Sequence, residues 1–140
     1  MRVEPFKVEH LQQMDVQEAQ RYLLPHVNWD GVRQLENAWA KTVFDGERVL
    51  LCGGLVPLAG SRAVVWAYFS EAAGTRMLRL VRATRAFLTD APFRRIEAFV
   101  DVDFWAGHRL VRLLGFELET PRKRAYRVDG GDSSEYVLVR

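Results

Sequence analysis

The run Arg94–Phe116, RRIEAFVDVDFWAGHRLVRLLGF, constrains the fold of this chain more than any other stretch. Ile96–Val100 reads as a buried strand, Asp101 and Asp103 as an acidic break, and about Trp105–Leu114 as a compact helix. Gly115 is suited to stop that helix, because glycine adopts the left-handed cap conformation with no Cβ to clash. Phe116 then opens a new strand and serves as an apolar anchor just past the cap. A strand, a short amphipathic helix and a return strand in so few residues commit this region to a sheet with helices packed on it.

The chain has 140 residues, which fits one domain able to bury roughly two-thirds of its unfolded surface. A net charge of +2 leaves no electrostatic footprint for nucleic acid, and such a partner is not expected. Cys52 is the only cysteine, so no internal disulfide can form, and without a Cys/His cluster no metal is expected. The opening MRVEPFKVEH lacks the apolar core of a secretory signal. The longest uncharged run, Val49–Ser61, is too short to span a bilayer and carries Gly and Pro. The expectation is a soluble cytoplasmic protein with no membrane partner.

Along the chain, Val3–Val8 alternates weakly and suits a first strand. Glu9–Met14 and Val16–Leu24 read as short helices, the second ended by Pro25. Asn28 is placed to cap a helix through about Trp39, with Trp29, Val32, Leu35 and Trp39 on one face. Ala40–Phe44, then Asp45-Gly46, then Arg48–Val56 predict a hairpin with a type I′ turn. Gly53-Gly54 inside the second strand marks a bulge or a close backbone approach. Ala63–Phe69 is a buried strand, followed by a helix over about Thr75–Leu88 whose stripe is Met77, Leu80, Val81 and Leu88. Strands near Phe116–Leu118, Ala125–Val128 and Glu135–Val139 complete the order. No repeat, linker or low-complexity segment appears, so residues 1–140 read as a single domain.

The runs GGLVPL, RAVVWAYFS, GTRM, RAFL, RRIEAFVD, AGHR and LLGF carry a resemblance in this order. They resemble the GNAT superfamily of acyl-CoA-dependent N-acyltransferases, and within it a small branch found in bacteriophages and prophages. The resemblance implies acetyl-CoA as co-substrate, with no metal. It implies two splayed central strands, one of which hydrogen-bonds the pantetheine arm through its exposed backbone. Here that strand is Ala63–Phe69, with Tyr68, Phe69 and Ser70 nearest the following loop. The pyrophosphate of the family lies on N–H groups at a helix start, which offer unpaired donors and a partial positive charge. In this chain that start is Glu71–Arg76, which assigns Gly74, Thr75, Arg76 and Arg79 to the cofactor. The thioester is expected between Ala63–Phe69 and Ile96–Val100. Two departures stand out. Of the family's loop pattern only Gly74 fits, with Glu71 in place of a basic or amide residue and Arg76 in place of a small one. The helix that usually opens with Asn and carries a thiol-protonating Tyr has Phe104 and Val111 at those positions.

Transfer from a thioester to an amine needs a base for the ammonium and an acid for the leaving thiolate. Asp101 and Asp103 leave the end of a strand, where Asp101 can act as base and Asp103 can hold an amine; the alternative is that they cap the helix near Phe104. His108, with an ordinary pKa of about 6.5, can replace the missing tyrosine as acid, or it is a packing residue. Glu71 is a base reached through water or an acid placed favourably for the helix dipole. Trp66 and Tyr68 share a face and line an acceptor pocket or belong to the core. Arg76, Arg79, Arg82 and Arg85 recur every third residue as a basic stripe or a solvated face. Cys52, beside Leu50 and Leu51, reads as buried and inert.

The expected fold is therefore α/β and GNAT-like: a mixed, mostly antiparallel sheet of six to seven strands with helices on both faces. The expected function is transfer of acetyl from acetyl-CoA to a primary amine, on a small molecule or a protein, by a monomer or homodimer. Phage origin would place it in the host cytoplasm. The alternative is a catalytically inactive domain used for protein contact in phage assembly or host takeover.

Overall fold

The computed structural model describes residues 1–140. Its elements are β1 (Arg2–Pro5), α1 (Val8–Gln13), a 3₁₀ segment (Glu18–His26), α2 (Trp29–Arg33), β2 (Ala40–Asp45), β3 (Arg48–Pro57) and β4 (Arg62–Phe69). A 3₁₀ turn (Glu71–Arg76) follows, then α3 (Met77–Asp90), β5 (Arg95–Asp101), α4 (Trp105–Leu113), β6 (Glu117–Lys123) and β7 (Ser133–Val139). The strands hydrogen-bond in the order β1-β2-β3-β4-β5-β7-β6. The pairs β1–β2, β2–β3, β5–β7 and β6–β7 are antiparallel, and β4–β5 is parallel. The contacts gather into two compact units, Met1–Val56 with Val65–Arg76, and Pro57–Val64 with Met77–Arg140.

In the N-terminal unit, Phe6, Leu11, Met14, Val16, Phe44, Val49 and Cys52 form a core, against which Leu24, Trp29, Val32, Leu35, Trp66 and Tyr68 pack. β1 stops at Pro5, which has no N–H to give to a ladder. Val8, read as strand, instead opens α1, where its N–H is held by the Glu36 carboxylate at 2.7 Å. Pro25 does not end its segment but lies inside the 3₁₀ run Glu18–His26, which buries no side chain. Asn28 caps α2 as expected, accepting from the Gly31 N–H, yet α2 ends at Arg33 rather than near Trp39. The reason lies in Asn37, whose side chain takes the Trp39 N–H at 2.7 Å and offers the backbone an alternative to helix.

The β2–β3 hairpin forms at the expected place with a different turn. Asp45 pairs with Arg48, leaving Gly46-Glu47 as the loop, and of these only Gly46 has positive φ. That suits the type II′ pattern, not I′. Gly53 and Gly54 pair in register, and the bulge sits instead at Val43/Phe44. The two glycines serve close approach: a Cβ on Gly54 would lie 2.5 Å from the Trp39 carbonyl oxygen, and one on Gly53 2.9 Å from that of Trp66.

In the C-terminal unit the buried side chains include Leu80, Val81, Leu88, Ile96, Ala98, Val100, Val111, Phe116 and Tyr136. α4 ends as its sequence foretells. Gly115 has φ +98°, its N–H donates to Arg112, and the Phe116 N–H donates to Val111, both at 3.0 Å. This is the Schellman pairing, with Phe116 buried just beyond it. Ala125–Val128 is a loop, not a strand: Asp132 takes the Ala125 N–H and Asp129 the Gly131 N–H, so side chains satisfy the backbone where a ladder would.

Candidate functional site

The backbone of β4 has two edges. Ser70, just past its end, donates its N–H to the Leu50 carbonyl at 2.9 Å, so even-numbered residues address β3. Successive residues of a strand turn their N–H and C=O to alternate edges. Ala67 and Phe69 therefore address the edge away from β3. The ladder with β5 occupies that edge only from Arg62↔Arg95 to Val64↔Glu97.

From Ala67 onward the edge is taken by the chain's own segment Asp15–Arg21. Val16 bridges Ser70, the Gln17 N–H donates to the Phe69 carbonyl at 2.8 Å, and the Glu71 N–H donates to the Asp15 carbonyl at 2.9 Å. The Gln20 carboxamide completes the contact. Its Nε2 donates to the Ala67 carbonyl at 2.7 Å, and its Oε1 accepts from the Phe69 N–H at 2.9 Å. Gln17 Nε2 donates to the same Oε1 at 2.9 Å. Sequence reading passes over Gln20 because a glutamine inside a helix-like run carries no signal of its own.

The 3₁₀ turn after β4 holds the residues assigned to an anion. Ser70 is buried, and its hydroxyl accepts the Ala72 N–H at 2.9 Å, which caps the turn. Glu71 accepts the Glu18 N–H at 2.6 Å and Arg21 at 3.1 Å, so its carboxylate is engaged in docking the 3₁₀ segment. Gly74 and Thr75 are exposed, and a Cβ on Gly74 would meet nothing within 4 Å. Arg76 lies at the end of the turn, with Nη2 2.8 Å from Asp45 and Nη1 3.1 Å from the Thr75 hydroxyl. A cavity of about 640 Å³ opens beside the turn, lined by Asp15, Glu47, Arg48, Ser70, Glu71 and Ala72 among others.

Trp66 and Tyr68 pack against the N-terminal core. The Trp66 ring meets Phe6 edge-on at 5.0 Å and Tyr68 at 6.4 Å. Burial pushes the Tyr68 phenol above its ordinary pKa. The Trp66 indole N–H is buried with no hydrogen-bond partner.

The remaining candidates lie in the C-terminal unit. The N-cap of α4 is Phe104, whose side chain makes no cap, so neither Asp101 nor Asp103 stands at the capping position. Both face Arg127, at 3.7 and 3.4 Å. His108 is buried with both ring nitrogens engaged: Nε2 is 2.9 Å from the Val102 carbonyl, and Nδ1 is 2.7 Å from the Tyr136 hydroxyl. The carbonyl can only accept, so Nε2 carries a proton, and the Tyr136 hydroxyl, able to give or accept, engages Nδ1. Val111 is buried, and the Phe104 ring lies over Gly107. Arg79, Arg82 and Arg85 are exposed on α3. No three His, Cys, Asp or Glu side chains gather where a metal ion could be held. No helix is long and apolar enough to cross a membrane.

No family model matches this sequence, and no curated protein does. Solved structures match it from end to end. A probable acetyltransferase from Staphylococcus epidermidis superposes with a TM-score of 0.78 at 10% identity, covering 99% of this chain and 98% of that one. A spermidine N-acetyltransferase variant from Vibrio cholerae gives 0.69 at 13% identity, covering 99% and 95%. The putative acetyltransferase yncA from Salmonella typhimurium, solved with acetyl-CoA, gives 0.72 at 13%, covering 99% and 92%. At such identities the likeness fixes the fold, which is the α/β GNAT fold with its mostly antiparallel seven-stranded sheet.

Proposed function

We propose that this chain is a GNAT-type acyl-CoA-binding protein that transfers acetyl from acetyl-CoA to a primary amine, and that it belongs to the phage or prophage branch its sequence resembles. The observation that carries the reading is the β4 edge beyond the β5 ladder, where the Ala67 carbonyl and the Phe69 N–H pair with the Gln20 carboxamide and not with a neighbouring strand. An extended molecule bearing secondary amides, such as the arm of coenzyme A, fits that edge by strand-like pairing. The turn that follows suits an anion. The surface over Gly74 is open, Arg76 supplies a cation, and Glu71 is offset by Arg21 at 3.1 Å.

When bound, the thioester supplies an activated acyl carbon open to direct attack by an amine, with no covalent enzyme intermediate. The chain's own residues contribute binding and orientation. Ala67 and Phe69 align an amide arm, and Thr75 and Arg76 hold phosphate. The fold's likeness to amine-acetylating proteins supports the acceptor class.

A second reading is favoured by α4. Phe104 and Val111 bring no transferable proton, and His108 has both nitrogens engaged. On this reading the chain is a catalytically inactive domain that acts by protein contact.

The test is calorimetric titration of acetyl-CoA and coenzyme A into the wild type and Arg76→Gln. Gln avoids placing a second carboxylate beside Asp45. Micromolar binding weakened about tenfold by the variant is expected, the loss typical of a hydrogen bond to a charged group. No binding at millimolar ligand would overturn the acyl-CoA reading and favour the second. Thiol release with spermidine and other amines then separates the first from the second.

A further inference from the structure

We infer that Gln20 is a built-in stand-in for a ligand amide, which must leave the β4 edge before an acyl-CoA can pair there, and that it thereby sets the affinity of the site. This rests on the acyl-CoA reading above. Gln20 gives a hydrogen to the Ala67 carbonyl and takes one from the Phe69 N–H. A neighbouring parallel strand makes the same pattern, giving to one residue and taking from the residue two places on. Two successive secondary amides of an extended ligand make it too, one giving its N–H and the next its carbonyl, because a trans amide turns the two groups to opposite sides. The Phe69 N–H is one donor and forms one good bond, so Gln20 and a ligand cannot both use it.

The stand-in has a physical reason. A buried backbone N–H or carbonyl without a partner is costly, and an edge that waits for a ligand exposes both. Gln20 keeps the empty edge satisfied at little expense in rigidity. It is half-buried, and the 3₁₀ segment that bears it buries no side chain. Such segments have poorer hydrogen-bond geometry than α-helix. The rest of the contact stays when the carboxamide swings out. The Gln17 N–H remains on the Phe69 carbonyl, Val16 on Ser70, and Arg21 between the Val16 carbonyl and Glu71. The segment therefore has one group that releases and several that hold it in place.

The test measures coenzyme A and acetyl-CoA affinity for the wild type, Gln20→Ala and Gln20→Glu. Gln20→Ala deletes the competitor. Gln20→Glu keeps its size but presents oxygen to the Ala67 carbonyl. Gln20→Ala is expected to bind about tenfold more tightly than the wild type, since neither hydrogen bond then opposes the ligand, and Gln20→Glu, which still accepts from the Phe69 N–H, to gain less. In the wild type, the Gln20 side-chain amide protons, identified in the ¹⁵N spectrum by their absence from Gln20→Ala, should lose protection when coenzyme A saturates the protein. This readout does not depend on either variant folding. Binding by the variants but not the wild type also supports the stand-in. Equal affinities, or a Gln20 amide that stays protected in the saturated wild type, overturn it and leave the acyl-CoA reading intact. Absence of binding by all three overturns both.

Discussion

Cys52 shows how contact and burial oppose each other at a single side chain. His10 Nδ1 lies 2.8 Å from the Thr42 hydroxyl, which lies 3.8 Å from Cys52 Sγ. A histidine, a hydroxyl and a thiol in line resemble an activated nucleophile, but the histidine never reaches the sulfur. Cys52 is fully buried, and burial pushes its thiol up to about 12, outweighing the lowering effect of Thr42. At pH 8 only about one thiol in ten thousand is then ionised, and the thiolate is the reactive form. Native protein should therefore leave Ellman's reagent unreacted over hours, and one equivalent should react once denaturant is added. Rapid labelling of the native protein would show that the sulfur is reachable and the polar chain functional.

At the scale of elements, backbone proximity sorts the glycines. A Cβ on Gly54 would fall 2.5 Å from the Trp39 oxygen and 2.7 Å from the Ala40 Cα, both backbone atoms that cannot turn aside. Gly54→Ala should cost about 2–4 kcal/mol, as overpacking against a fixed neighbour does. Gly74→Ala, with nothing within 4 Å, should stay within about 0.5 kcal/mol of wild type, as surface changes usually do. Thermal unfolding followed by circular dichroism compares them, and equal midpoints would contradict the close approach. The same comparison shows what sequence can reveal. Gly53-Gly54 announces a special backbone, but bulge and close approach write the same two letters. Gly115-Phe116 announces a helix stop because the cap is made by neighbours in sequence. Asn37, Asp129 and Asp132 redirect the backbone through their side chains, so periodicity overruns at Trp39 and invents a strand at Ala125–Val128. The site divides in the same way. Gly74 lies where local pattern predicts a break, while Thr75 and Arg76, read as the start of the helix, finish the 3₁₀ turn and α3 begins at Met77. The partners that engage Glu71, His108 and Asp101 are Arg21, Tyr136 and Arg127, all remote in sequence. Gln20 meets β4 across 47 and 49 positions.

For the molecule as a whole, charge balance governs its response to acid. Its 20 Lys and Arg are opposed by 18 Asp and Glu, so acidification removes the opposition and the chain repels itself. One carboxylate is both buried and held below its ordinary pKa. Glu97, 7% exposed, accepts from Arg95 at 2.8 Å and from Arg62 at 3.2 Å. The Arg95 hydrogen bond, and after it Arg62, hold its carboxyl below the ordinary value of 4.5 against the cost of burial. A carboxylate depressed in the folded state contributes stability that is complete above its unfolded pKa and lost as pH falls through its folded one. That contribution should therefore be level above about pH 5 and decline below 4.5. Glu119, Asp129 and Asp132 are shifted the same way by Arg95, the Gly131 N–H and the Ala125 N–H respectively, but solvent screens them and they add little. Glu97→Gln should cost about 1–2 kcal/mol at pH 7, because Arg95 and Arg62 keep their partial exposure and Arg95 keeps Glu119 and Glu135. Since glutamine does not titrate, the variant should also lose less than wild type between pH 5 and 3, so the two stability curves converge in acid. Urea unfolding midpoints across pH 3–7 measure both effects. Parallel curves at every pH would place the acid sensitivity in the general charge of the chain and not in the buried Glu97 pair.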